Sequence, residues 1–81
     1  MWFVYLLECN DGSLYCGITN NLEKRINTHN SGKGAKYTRS RLPVSLFYVE
    51  ESENRSEASK REYSIKKLSR EQKIKLKTVI F

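Results

Sequence analysis

Glu62 stands where a carboxylate is costly. It follows Ala58 by four residues and precedes Ile65 by three, which puts it within the inward-facing apolar stripe of a helix read over about residues 55 to 68. A carboxylate facing a core must be paired, protonated or bound to a metal. Two readings follow. One is a buried salt bridge, with Arg25 as its partner. The other is a ligand for a hard divalent cation such as Mg²⁺, which often takes one carboxylate and completes its octahedron with water and phosphate oxygens. Arg25 and His29 are four residues apart and share a face of an earlier helix. His29 lies about 20° around that helix from Leu22, so it borders the buried stripe. Alone it reads as a satisfied core histidine. Beside Arg25, and facing a sheet that bears tyrosines, it joins a pair of cationic or proton-handling groups suited to a phosphate.

The tyrosines in question are Tyr5 and Tyr15, in two aromatic and branched runs on either side of Asn10-Asp11-Gly12, the turn of a β-hairpin. Register decides whether they meet. A two-residue turn on Asp11-Gly12 would set Tyr5 opposite Ile18 and send the rings to opposite faces. A three-residue loop, with Gly12 in the left-handed position of a bulge, sets Cys9 opposite Ser13, Tyr5 opposite Gly17 and Tyr15 opposite Leu7. The tyrosines are then diagonal neighbours on one face, Cα atoms roughly 7 to 8 Å apart. Asn-Asp-Gly suits the second register, and Gly17 would leave open space beside the Tyr5 ring. The plainer reading keeps both tyrosines as strand residues packed on a helix.

The elements that must hold these groups follow from local signals. Asn20 with Glu23 predicts a helix start, Leu22 and Ile26 give that helix an apolar side, and Ser31-Gly32 ends it. A short helical turn is expected over about residues 35 to 39. Pro43 precedes a third strand, residues 44 to 49, whose apolar side chains on both faces predict a strand covered on both sides, central or packed beside the central one. Asn54 with Glu57 opens the helix of Glu62, and Ser69 with Gln72 opens a shorter helix running into the C-terminus, with the apolar end Val79-Ile80-Phe81 unassigned. The order β-β-α-α-β-α-α describes an α+β fold. At 81 residues the chain is expected to form one domain, 1–81, with a single small core.

Charge narrows the partner. The formal net charge is +6, and Lys33, Lys36, Arg39 and Arg41 form a basic stretch with Tyr37 interleaved, while further cations from Lys60 to Lys77 load the C-terminal quarter. Between them cluster Glu50, Glu51, Glu53 and Glu57. Such patches favour a phosphate-backbone partner over a membrane surface, although a solvated helix face explains many lysine runs. No apolar run reaches membrane length, and the apolar start at Trp2 lacks the basic lead of a signal peptide. Cys9 and Cys16 point to opposite faces of the hairpin, which argues for free, unreactive thiols in a reducing cytoplasm.

Taken in order, Tyr5, Tyr15-Cys16-Gly17, Arg25, His29 and Glu62 resemble the GIY-YIG nuclease domain over essentially the whole chain, and more narrowly the small bacterial proteins that consist of this domain alone. The phrases Leu14-Tyr15-Cys16-Gly17-Ile18-Thr19-Asn20, Asn30-Ser31-Gly32-Lys33-Gly34-Ala35-Lys36-Tyr37-Thr38 and Arg61-Glu62-Tyr63-Ser64-Ile65-Lys66-Lys67 carry the resemblance together. The first tripeptide here is Phe3-Val4-Tyr5, with Phe3 in the family's glycine position. The resemblance implies a three-stranded antiparallel sheet flanked by helices, and metal-dependent hydrolysis of a phosphodiester with a 3′-oxygen leaving. It implies Glu62 as the ligand of Mg²⁺ (or Mn²⁺) and Arg25 against the charge of the transition state. Tyr5 would act on the attacking water and Tyr15 on the phosphate or on Tyr5, with the division between the tyrosines and His29 open. Gly17, Lys33, Lys36, Tyr37, Arg39, Lys66 and Lys67 would meet the substrate, the cations by tracking its backbone. The expected substrate is DNA rather than RNA, cut with low sequence specificity by a monomer, or directed by a separate targeting protein. Two other classes remain: a non-catalytic nucleic-acid-binding module of the same fold, and an interaction protein whose charge serves solubility.

Overall fold

The computed structural model describes residues 1–78, so Val79-Ile80-Phe81 lie outside the described residues. Strands β1 (Trp2–Glu8) and β2 (Leu14–Thr19) pair antiparallel with Tyr5 opposite Gly17 and Leu7 opposite Tyr15, the register of the three-residue loop. Gly12 takes φ 84°, and its amide donates to the Cys9 carbonyl at 2.9 Å while Cys9 N–H donates to Ser13 O at 2.8 Å. A left-handed residue at that point is why glycine follows Asn-Asp.

Helix α1 (Leu22–Asn30) and the one-turn α2 (Lys36–Arg39) follow, then β3 (Ser45–Ser52), α3 (Arg55–Lys66) and α4 (Arg70–Thr78). The cap of α1 is Asn21 and not Asn20: its side chain accepts from Lys24 N–H. Thr19 accounts for the shift, because its hydroxyl accepts from Asn21 N–H at 3.1 Å and donates to Asn21 O at 3.2 Å, turning the chain at Asn20. The other two capping patterns form where expected. Asn54 accepts from Glu57 N–H, and Ser69 and Gln72 exchange reciprocal bonds at 3.2 and 2.9 Å.

The sheet order is β2-β1-β3, so β1 is central and β3 lies beside it on an edge. The expectation that β3 is covered on both faces fails: Leu46 and Val49 are 41% and 36% exposed. A register shift opposite Leu6 and Leu7 explains the misleading pattern, since it lets the consecutive residues Phe47 and Tyr48 both pack on the α3 side. The central strand supplies both halves of the core. Val4 and Leu6 meet Cys16, Ala58 and Ile65 under α3, while Tyr5 and Leu7 meet Cys9, Val44, Leu22 and Ile26 on the α1 side. Each such buried aliphatic side chain contributes about 1.5–3 kcal/mol.

The two thiols are free, buried and in different halves of the core. Burial first, then the nearby Glu62 carboxylate, pushes the Cys16 thiol up to about 11, far from a reactive thiolate. No helix among the described residues is long and apolar enough to cross a membrane.

Candidate active site

Four of the five singled-out side chains converge on the α1 side of the sheet. The hairpin register puts Tyr5 and Tyr15 on one face, and α1 lays His29 across them. The imidazole meets the Tyr5 ring edge-on at 6.1 Å and the Tyr15 ring edge-on at 5.4 Å. Tyr5 Oη is hydrogen-bonded to His29 Nε2 at 3.1 Å, and His29 Nδ1 to Thr38 Oγ1 at 2.9 Å. His29 is therefore fully buried and satisfied at both nitrogens rather than bordering the stripe. Gly17 is what lets Tyr5 in. A Cβ there would lie 2.6 Å from Tyr5 Cζ and closer still to the hydroxyl.

Arg25, half-buried one turn before His29, acts on both buried groups. Burial raises the Tyr5 hydroxyl above the ordinary phenol range, and the Arg25 guanidinium opposes that shift. Burial, and then the positive charge of Arg25, lower the His29 imidazole, which favours its neutral form. Arg25 makes no ion pair among the described residues, so the expected pairing with Glu62 does not form. The Tyr15 hydroxyl has no hydrogen-bond partner among the described residues and is not enclosed, which leaves it open to a ligand. Beside Arg25 opens a cleft of about 240 Å³ lined by Thr19, Asn20, Asn21, Lys24, Arg25 and Thr28.

Glu62 approaches from the other layer, where it acts on Cys16 of β2. Its side chain keeps 23% of its exposure and pairs with Lys66 at 3.4 Å, so it is not the enclosed carboxylate that the helical period predicted. The reason is the width of the stripe. Only Ala58 and Ile65 of α3 are buried, and Glu62 lies about 60° around the helix from Ile65, on the margin. No hydrogen bond or ion pair joins it to Tyr5, Tyr15, Arg25 or His29 among the described residues. No group of three or more histidine, cysteine or carboxylate side chains stands ready for a metal among those residues either. A donor set of one accessible carboxylate fits Mg²⁺ or Mn²⁺ held mainly by water and phosphate oxygens, and not an all-protein cage.

The basic residues divide into engaged and free. Lys66 is paired with Glu62, Lys67 lies 4.3 Å over the Tyr63 ring, and Arg39 Nε donates to Gly34 O at 3.3 Å. Arg41 pairs with Asp11 at 3.0 Å and covers the Tyr37 ring at 3.9 Å, and Tyr37 in turn stacks on Tyr15 at 5.9 Å. Tyr37 thus reaches the site through Tyr15. Lys24, Lys33 and Lys36 carry no partner among the described residues, and all three come from α1, α2 and the loop between them. Sequence reasoning passed over Lys24 and gave no role to Asn30, Gly34 and Thr38, although all three stand in a phrase that carries the family resemblance. Gly34 is buried where a Cβ would come within 2.8 Å of His29 Cα and Cγ. Asn30 accepts from Val44 N–H at 2.7 Å and donates to Val44 O at 3.0 Å, pinning the end of α1 to the approach of β3. Gly34, a second glycine just after the left-handed Gly32 that ends α1, was the available signal of a close approach.

Comparison with known proteins assigns the chain to a family. The chain is 63% identical over 76 residues to a UPF0213 protein of Clostridium perfringens, covering 94% of this chain and 82% of that protein. A UPF0213 protein of Bacillus cereus is 62% identical, covering 85% and 72%. Two solution NMR structures are similar. The UPF0213 protein of Bacillus halodurans has a TM-score of 0.61 at 46% identity, covering 98% of this chain and 85% of that one. A protein of E. faecalis has a TM-score of 0.64 at 51% identity, covering 94% and 82%. The model of the GIY-YIG catalytic domain matches residues 1–75, and the chain belongs to that family.

Proposed function

We propose that this protein hydrolyses phosphodiester bonds of nucleic acid, DNA in the first place, with the help of a divalent cation and with little sequence preference. The observation that carries the reading is the cluster of Tyr5, Tyr15, Arg25 and His29, in which the Arg25 guanidinium touches the Tyr5 hydroxyl without an ion-pair partner among the described residues, and the Tyr15 hydroxyl stands at the opening. A phosphate entering there meets Arg25 and the Tyr15 hydroxyl first, and Arg25 offsets the charge gained in the transition state. Tyr5 lies behind them and acts on the attacking water. Burial keeps it a phenol at neutral pH, so it orients that water or passes a proton on to His29, and does not wait as a phenolate. Glu62 is the side chain that would hold Mg²⁺ or Mn²⁺, whose contribution is charge neutralisation at the phosphate and the leaving oxygen. Lys24, Lys33 and Lys36 add backbone contacts without sequence information.

The test is incubation of the purified protein with end-labelled single-stranded, duplex and flapped DNA and an RNA control, in Mg²⁺, Mn²⁺ or EDTA, beside Glu62→Gln. Cleavage that needs the cation and falls at least a hundredfold in the variant supports the proposal. The variant should melt with the parent, because a solvent-facing i,i+4 pair is worth only about 0.3–0.5 kcal/mol. Salt-sensitive binding without cleavage in any condition would make the protein a nucleic-acid-binding module instead.

A further inference from the structure

Thr38 sits on the single turn of α2, fully buried against His29, and neither its charge nor its reactivity gives it a part in hydrolysis. Its hydrogen bonds do. The hydroxyl oxygen lies 2.9 Å from the Ala35 carbonyl oxygen and 2.9 Å from His29 Nδ1. A carbonyl can only accept, and two oxygens at that distance with no proton between them repel, so the one hydroxyl proton of Thr38 goes to Ala35. Thr38 then has only lone pairs to offer His29, and Nδ1 must carry the proton. A second argument starts at the far end of the chain of bonds and reaches the same result. The Tyr5 hydroxyl is buried, its partners among the described residues are His29 Nε2 at 3.1 Å and the Arg25 guanidinium, and the guanidinium can only donate. Were Nε2 protonated, the Tyr5 proton would be left in the core without an acceptor, which costs about 1–3 kcal/mol.

We propose that Thr38 is a positioning residue that holds His29 as the Nδ1–H tautomer, so that the bare Nε2 faces the Tyr5 hydroxyl as its proton acceptor. Gly34 is part of the same device, because only a residue without a Cβ lets the segment before α2 press onto the imidazole. In the hydrolytic reading, on which this consequence rests, the attacking water gives a proton to the Tyr5 oxygen as the Tyr5 proton moves to Nε2. The oxygen–phosphorus bond forms as the bond to the 3′-oxygen breaks, and the departing 3′-oxygen takes a proton from solvent water. His29 becomes an imidazolium donating to Thr38 and Tyr5 at once, and after product leaves it returns its proton through Tyr5 to solvent, which restores the balance. The opposite tautomer presents an N–H to Tyr5 and can take nothing from it.

The experiment reads the tautomer directly and does not depend on cleavage. Long-range ¹⁵N–¹H correlation of the His29 ring in the intact protein near neutral pH should show Nδ1 protonated and Nε2 bare in the parent and in Thr38→Ser. Thr38→Val keeps the shape and removes the acceptor, and it should shift the ring to the Nε2–H form or to a mixture. If the protein cleaves DNA, Thr38→Val should lose roughly tenfold to a hundredfold in rate with binding unchanged, by analogy with the loss when the partner that orients a metal-bound histidine is removed, and Thr38→Ser should recover most of it. A parent ring protonated at Nε2 overturns the proposal even if Thr38→Val does not fold. An unchanged tautomer in a folded Thr38→Val variant overturns it as well. A parent ring bare at Nε2 in a protein that cleaves nothing would leave the tautomer assignment standing and refute the hydrolytic reading alone.

Discussion

Gly17→Ala puts a single methyl group where the hairpin register meets the site. The added Cβ would come 2.6 Å from Tyr5 Cζ, inside any contact that carbon atoms tolerate, and nearer still to the hydroxyl. Tyr5 cannot swing away freely, because it is 1% exposed and its hydroxyl is held by His29 at 3.1 Å. Forcing a methyl into such a core costs about 1–3 kcal/mol, and losing the Tyr5–His29 bond adds about 1 kcal/mol. The backbone angle at Gly17 is an ordinary one, so the substitution also stiffens the unfolded chain and returns about 0.4–1 kcal/mol. The net loss is about 1–3 kcal/mol, in a domain of this size whose whole stability is about 4–12 kcal/mol. At roughly 4–8 °C per kcal/mol that is a fall of roughly 5 to 20 °C in Tm.

Thermal unfolding by far-UV circular dichroism, with urea titration for the free energy, measures this. The control is Gly12, which has no atom within 4 Å of a built Cβ but has φ +84°. There Asn should be tolerated better than Ala, since Asn accepts the left-handed conformation, whereas at Gly17 only side-chain size should matter. In a Tyr5→Phe background the nearest obstacle is gone, and the cost of Gly17→Ala should shrink by about 0.5 kcal/mol or more, the scale of coupling between touching residues. A Gly17→Ala variant that melts with the parent would refute the close approach on which the site is built, whereas an equal cost with and without the Tyr5 hydroxyl would assign the clash to the ring carbons instead.

Acid should weaken the fold through His29. Its pKa is lowered in the folded state by burial and Arg25, so the unfolded chain binds the proton more readily. Stability is then present above the ordinary histidine range near 6.5 and is lost as pH falls from there toward the lowered value, by at most about 1.4 kcal/mol per pH unit, and His29→Gln should flatten that slope in urea titrations between pH 7 and 5. Binding to duplex DNA should weaken with salt, and removing Lys24, Lys33 or Lys36 should each lower the log–log slope by about 0.9, while Lys66→Ala, whose cation is engaged with Glu62, should change it less. Asn30→Ala removes both bonds to the Val44 backbone and should cost about 1–2 kcal/mol by urea unfolding, with His29 ring signals shifting as the end of α1 loosens.

What could be read from the chain was whatever local chemistry settles. Asn-Asp-Gly settles a loop length, and loop length settles that Tyr5 faces Gly17 and shares a side with Tyr15. The capping pairs at Asn54 and Ser69 are contacts three residues apart and were legible for the same reason. The misreadings arise where a second segment decides. Periodicity placed Glu62 toward the core but carries no information on how wide the covered stripe is, and a strip of two buried residues leaves its margin to solvent. Apolar residues on both sides of β3 suggested a doubly covered strand, when a one-residue shift against β1 had moved Phe47 and Tyr48 to one side. Thr19, reaching forward to Asn21, displaced a helix cap by one position in a pair of identical residues.

The site divides along the same line. Its chemistry-bearing groups were visible by type and spacing, because Arg25 shares a face with His29 and that face turns toward a hairpin whose loop sets two tyrosines side by side. The direction in which a proton can move among them was not. That direction depends on Thr38, nine residues beyond His29, on a carbonyl at Ala35 and on the missing side chain of Gly34, three features that have no chemistry of their own and acquire it by contact. The Thr38 hydroxyl, committed to the Ala35 carbonyl, therefore orients a histidine, the histidine orients a phenol, and the phenol faces the place where a phosphate can meet Arg25. A variant that keeps Tyr5, His29 and Arg25 but reverses the ring of His29 would be indistinguishable from the parent in sequence motif, and its predicted loss of function would come entirely from the position of one proton.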